Sequence, residues 1–167
     1  MTSIKIALPL AAAVALAFIA PAQAPLFPGS SRPAAAPPAV EYLYPEQLTL
    51  PAAKPTTVAL HFRVAPGLHI NSHKPKDEFL IPTAFSIPDS SGVRLESATY
   101  PVGADYISPL DPGVKLSVYS GEFIIQARLV ATAGDHLLEA KLRYQACDNN
   151  ACMPPKTIPV AIDVIGK

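Results

Sequence analysis

Between residues 57 and 64 the apolar side chains Val58, Leu60, Phe62 and Val64 alternate with Thr57, Ala59, His61 and Arg63. A period of two places neighbours on opposite faces of an extended chain, so the segment predicts a half-buried strand. The same alternation returns with Phe123, Ile125, Ala127 and Leu129 against Ile124, Gln126 and Arg128, and again with Leu138, Ala140, Leu142 and Tyr144 against Glu139, Lys141, Arg143 and Gln145. Ile158, Val160, Ile162 and Val164 share one face of a last strand. Shorter candidates cover 67–71, 83–87 and 93–100, for roughly seven or eight strands in all.

Turn residues separate these runs: Ala65-Pro66-Gly67, Pro88 to Gly92, Asp111-Pro112-Gly113, Ser120-Gly121 and Ala133-Gly134-Asp135. No amphipathic helical period follows residue 40. Many short strands at this spacing, each with one apolar face, predict an all-β fold, an antiparallel sandwich of two packed sheets. The segment 101–116 departs from the pattern and is expected to be a long loop rich in Pro, Gly and Asp, the kind of element that carries function on a small sandwich.

The chain before residue 40 changes that picture in two ways. Lys5 precedes an apolar run from Ile6 to Ala20, followed by Ala22-Gln23-Ala24, which is the pattern of an export signal cleaved after Ala24. A retained membrane anchor is the competing expectation, but Pro9 interrupts the run, Pro21 ends it, and a spanning helix needs roughly 20 apolar residues. Residues 25–39 are rich in Pro and Ala and offer little to bury, so they are expected to form a disordered linker to one domain over 40–167. Cleavage removes Lys5 as its only charged residue and leaves 12 basic against 13 acidic side chains. That balance, with no Lys/Arg cluster, argues against nucleic acid, and against membrane contact except through a partner.

Cys147 and Cys152 are the only cysteines. In an oxidising compartment an even pair separated by four residues reads as one disulfide. A strand leads into Cys147, another follows Pro155, and Asp148-Asn149-Asn150 are residues that tolerate the left-handed backbone of a tight reversal. Such a reversal brings the Cα atoms toward the roughly 4.4–6.8 Å that a bridge spans. A structural staple and an exchanging dithiol are both open on chemistry alone. A bridge closing so short a loop contributes only about 2 kcal/mol in the chain-entropy model, and an exchanging pair needs an accessible sulfur and a stabilised thiolate. Thioredoxin-type chemistry does not fit, because that motif places two residues between its cysteines and a helix after the first.

Three segments carry a resemblance: Pro66-Gly67-Leu68-His69-Ile70-Asn71; Tyr100-Pro101 through Leu116-Ser117-Val118-Tyr119-Ser120-Gly121-Glu122; and Tyr144-Gln145-Ala146-Cys147 with Cys152-Met153-Pro154-Pro155. Together they resemble the N-terminal periplasmic domain of the bacterial thiol:disulfide interchange protein DsbD. The resemblance implies an immunoglobulin-like fold, no cofactor, and Cys147 and Cys152 as the catalytic pair. It implies a relay of electrons from a membrane-embedded or thioredoxin-like donor to periplasmic thioredoxin-fold clients, in which Cys152 forms the mixed disulfide and Cys147 resolves it. It also implies a cap loop over the pair, for which 101–116 is the matching stretch and Tyr106 or Ile107 the shield.

The chain departs from the family's best-known members in having one residue fewer between the cysteines, and in carrying His69 and Asn71 where they have aromatic residues. Asp77-Glu78-Phe79 imitates a cap-loop tripeptide but lies too early in the chain and is taken as coincidence. The family's membrane and thioredoxin-like domains are not in this sequence, so the donor is expected to be encoded separately. The alternative is a non-catalytic exported sandwich that binds protein, or copper or zinc through His69, His73, the cysteines and Met153. Solvent-exposed or hydrogen-bonding histidines explain the same residues more simply, and no metal site is assigned. His61 and His136 fall on outward strand positions, and Tyr144 on an inward one. No Gly-x-Ser-x-Gly, phosphate loop or His-Glu-x-x-His occurs.

Overall fold

A computed structural model describes residues 37–89, 92–109 and 112–167. The expected export signal and most of the expected linker lie outside the described residues. Of its three described residues Pro37 and Pro38 are exposed, whereas Ala39 is buried and its carbonyl accepts a hydrogen bond of 2.9 Å from the Ala65 amide.

The described chain is all β, with twelve strands and no helix. One sheet has the order β1 (Val40–Tyr44), β3 (Thr56–Val64), β9 (Glu122–Ala131), β6 (Val93–Thr99). A second has the order β2 (Gln47–Leu50), β12 (Lys156–Gly166), β10 (Gly134–Tyr144), β5 (Ala84–Ser86). Pairing is antiparallel throughout except between β12 and β2. The third sheet is small and includes the first cysteine: β11 (Ala146–Cys147), β4 (His69–Asn71), β8 (Lys115–Tyr119), β7 (Ala104–Ile107).

The predicted alternation is realised on β3, β9 and β10, where every second side chain enters the core. Leu60, Phe62, Ile125, Leu129, Leu138, Leu142, Val160 and Ile162 belong to one continuous hydrophobic cluster. Phe123 stacks against Phe62 at 5.3 Å and against Tyr119 at 5.0 Å. That cluster joins both large sheets into an immunoglobulin-like sandwich. Each buried Leu, Ile or Phe contributes about 1.5–3 kcal/mol, so the core and not the cysteine bridge carries the stability of the domain. Tyr144 is part of that core, as its inward register required.

Several elements differ from the sequence expectation. Strands β1, β2 and β8, and β11 as a strand separate from β10, were not anticipated; they are two to five residues long, too short to display a period. The segment 101–116 is no plain loop, because β7 lies within it and pairs with β8 as a hairpin, Ala104 opposite Val118 and Ile107 opposite Lys115. β7 is an outer strand held by backbone bonds on one side, and its largely exposed side chains gave no alternation to detect. His61 points away from the core as expected and stacks on Tyr44 at 4.1 Å, but His136 does not: it lies in the register of Leu138 and Ala140 at the start of β10, half-buried, with Nε2 3.1 Å from the Thr132 hydroxyl. Pro159 sits inside β12 opposite Lys141, beyond the stretch 163–166 that β2 covers, where a missing N–H breaks no ladder bond.

Candidate functional site

β10 ends at Tyr144, Gln145 interrupts the ladder, and β11 carries the chain into Cys147. The return is fixed by two backbone bonds, Asp148 N to Ala151 O at 3.0 Å and Met153 N to Ala146 O at 2.8 Å. Cys147 and Cys152 face each other between these bonded positions, the place in an antiparallel pair where side chains stand closest. They form a disulfide with a Cα–Cα distance of 3.9 Å, shorter than the span expected of most bridges.

The turn itself closes by a different device from the one the sequence suggested. Neither asparagine takes a left-handed backbone; Ala53 is the only non-glycine residue with positive φ among the described residues. Instead Asp148 Oδ1 accepts from the amides of Asn150 at 2.7 Å and Ala151 at 2.8 Å. Those two donors hold the Asp148 carboxyl below the usual carboxylate range, with a smaller contribution from His69.

The two cysteines stand at unequal depth. Cys147 is 2 % exposed, whereas Cys152 lies on the exposed limb of the turn. Behind them, β4 pairs with β11 so that His69 is directly opposite Cys147 and Ile70 opposite Ala146. Directly opposed residues in an antiparallel pair share a face, so His69, Cys147 and Cys152 form a row across three strands.

The β7–β8 hairpin lies over this row. The Tyr106 ring tilts against His69 with centroids 4.2 Å apart, and its hydroxyl donates to Asn149 Oδ1 at 2.8 Å. Ile107, the next residue, points the other way and is 53 % exposed. Of the two candidate shields, therefore, Tyr106 meets the cysteine turn and Ile107 does not. Gly103 anchors the root of the hairpin: a Cβ there would come within 2.2 Å of Ser117 Oγ and 2.8 Å of Ser72 Cβ, two residues already joined by a buried 2.9 Å hydroxyl bond. An exposed Lys76–Asp105 ion pair ties β7 to the 72–80 loop.

The family model for the N-terminal domain of the thiol:disulfide interchange protein DsbD matches residues 39–163. The chain belongs to that family. With its cysteines closed as a disulfide, it is a DsbD-type thiol-disulfide exchange domain. Among solved structures, the N-terminal periplasmic domain of ScsB from Proteus mirabilis is similar at 14% identity and TM-score 0.51, over 74% of this chain and 44% of that one. The reduced N-terminal domain of DsbD from Neisseria meningitidis is similar at 19% identity and TM-score 0.47, over 69% of this chain and 82% of that one. At such identity the ScsB likeness speaks to the fold, and this chain spans less than half of that structure. No curated protein matches the chain.

The remaining expected residues of this DsbD-type domain fall in two groups. Asn71 is fully buried and is wiring: its side-chain nitrogen donates to Ile81 O at 3.1 Å and Gln145 Oε1 at 3.2 Å, and its backbone carbonyl accepts from Thr83 Oγ1 at 2.6 Å. His73 turns away from the cysteines, stacking on Tyr100 at 3.7 Å with Nδ1 2.9 Å from Thr83 O, so it does not converge with His69. Among the described residues no three His, Cys, Asp or Glu side chains gather as a metal site. Asp77-Glu78-Phe79 lies outside the hairpin, with Phe79 85 % exposed.

Sequence reasoning missed Gln145 as a site residue. Besides meeting Asn71, its Nε2 donates to Met153 O at 3.2 Å, so one side chain links β4 to the limb that carries Cys152. The available signal was its place at the break between the β10 alternation and the first cysteine.

Proposed function

We propose that this is an exported, periplasmic carrier domain that relays reducing equivalents through Cys147 and Cys152. Its donor is a membrane-embedded or thioredoxin-like protein, and its clients are periplasmic thioredoxin-fold proteins. The observation that carries this is the unequal depth of the two sulfurs. In the reduced domain, the Cys152 thiolate attacks a client disulfide, and the mixed disulfide sits on the exposed limb. Buried Cys147 then attacks Cys152, closing the bridge and releasing the client as a dithiol. The donor restores the dithiol by the reverse sequence at the same sulfur.

Family membership supports exchange over a structural staple, and so does the small entropic contribution of a bridge that closes a six-residue loop. The deciding experiment is the equilibrium reduction potential of the pair, with alkylation of free thiols as readout, joined to trapping with Cys147→Ser. A potential well above about −300 mV and a stable mixed disulfide at Cys152 support the carrier. A bond that yields only when the domain unfolds overturns it and leaves a stapled binding domain.

A further inference from the structure

The geometry points to His69 as the acid–base partner of Cys147, the residue that takes the proton from the buried thiol when it closes the bridge. This inference rests on the exchange function proposed above and adds a residue to it. Three observations carry it. His69 is the cross-strand neighbour of Cys147 on the shared face of β4 and β11. Its ring is held in place by Tyr106, which leaves it buried. Asp148, whose carboxylate is fixed by the turn amides, is the charge that acts on it.

These groups make a graded arrangement. Burial lowers the His69 pKa, and Asp148 opposes that shift, so the imidazole is neutral and able to accept a proton near neutral pH. The titratable groups around it are Cys147, its ladder partner on β11, the Asp148 carboxylate of the turn, and the Tyr106 phenol from β7. From β8, Tyr119 is the ladder partner of the adjacent Ile70, and its hydroxyl is engaged by Pro101 O and the His73 amide. None of these is a basic side chain that could compete for the role.

His69 takes the proton of the Cys147 thiol, and the resulting thiolate attacks Cys152 Sγ in the mixed disulfide. The Cys147–Cys152 bond forms as the bond from Cys152 to the partner sulfur breaks. The electron pair leaves on the partner sulfur, which is reduced, and the His69 proton neutralises it. Asp148 stabilises the imidazolium in between. A buried thiol with no such base is held protonated, because desolvation disfavours the thiolate.

The test uses the reduced protein and excess 5,5′-dithiobis(2-nitrobenzoate) in stopped flow. The first nitrothiobenzoate released reports attack by Cys152, and the second reports closure by Cys147. With wild type, the second release stays fast from pH 9.5 down to about 6.5. With His69→Phe, which keeps a ring beneath Tyr106, it slows about 10- to 100-fold at pH 6.5 and converges with wild type near pH 9.5, where an ordinary thiol is ionised. His69→Gln, polar but not basic, behaves the same way, and Asp148→Asn shifts the profile less in the same direction. The first release, which does not need Cys147, slows less than the second in all three variants. Closure profiles of His69→Phe and His69→Gln that match wild type overturn the assignment, as does an equal slowing of the first release. If wild type gives no second release at any pH, the exchange function itself fails and takes this inference with it.

Discussion

The Tyr106 hydroxyl donates to Asn149 Oδ1 at 2.8 Å, so a side chain of the hairpin is latched to the loop between the two cysteines. A neutral hydrogen bond of this kind contributes about 1 kcal/mol. Tyr106→Phe should raise the population of the uncovered site about fivefold, since that is the ratio the lost energy corresponds to. Reduction of the bridge by dithiothreitol should accelerate by a similar factor. Tyr106→Ala also loses the contact with His69 and should be faster still; a rate equal to wild type in both variants shows that the hairpin does not govern access.

Gly103 allows the root of the hairpin to lie on Ser72 and Ser117. A methyl group there forces those residues or the strand to shift, an overpacking cost of roughly 1–3 kcal/mol. Gly103→Ala should lower the urea midpoint and, by displacing β7, speed reduction of the bridge. An unchanged midpoint shows that Ser117 simply rotates away.

Acid should weaken the domain in two separable windows. Burial lowers the His69 pKa, so below the usual value of about 6.5 the unfolded chain binds a proton that the folded chain refuses. Its contribution is complete above that pH and is lost as pH falls through the folded value. The Asp148 carboxyl is likewise depressed by the Asn150 and Ala151 amides, so its contribution is present above the usual carboxylate range and is lost as pH falls below it. Urea midpoints measured against pH should lose the upper slope in His69→Phe and part of the lower one in Asp148→Asn, the rest belonging to Glu96 and Asp105, whose carboxyls Arg128, Arg94 and Lys76 also hold below the usual range; parallel curves in all three proteins place the acid sensitivity elsewhere.

The bridge should be nearly dispensable for folding. Replacing both Cys147 and Cys152 by Ser removes about 2 kcal/mol of unfolded-chain constraint and leaves the core cluster whole. Equilibrium unfolding should remain cooperative with only that loss. Collapse of the fold without the bridge contradicts the division between a core that stabilises and a pair that reacts.

How far the sequence reached can be seen strand by strand. β3, β9 and β10 were legible because each is long and buries one face, so the period of two survives in the residues themselves. β7 and β11 were not, since an outer strand with exposed side chains and a two-residue strand carry no period. Cys147 and Cys152 stood out by residue type. His69 was noticed as a neighbour of the cysteines, but its place opposite Cys147 depends on a register between segments that are distant in the chain, which local pattern does not encode. Gln145 and the carboxylate-closed turn at Asp148 depend on side-chain direction and were beyond reach for the same reason.

The parallel pairing of β12 with β2 sets the order of events when the chain folds. Residues 47–50 hydrogen-bond to 163–166, and the same strand forms the long ladder with β10. The second sheet therefore stays open until its last-synthesised strand arrives, however early the other strands have formed. Closing contacts between such distant segments is slow, of the order of milliseconds to seconds for sandwiches of this kind. During synthesis the domain remains an incomplete, threadable chain, and it locks only after its full length is free.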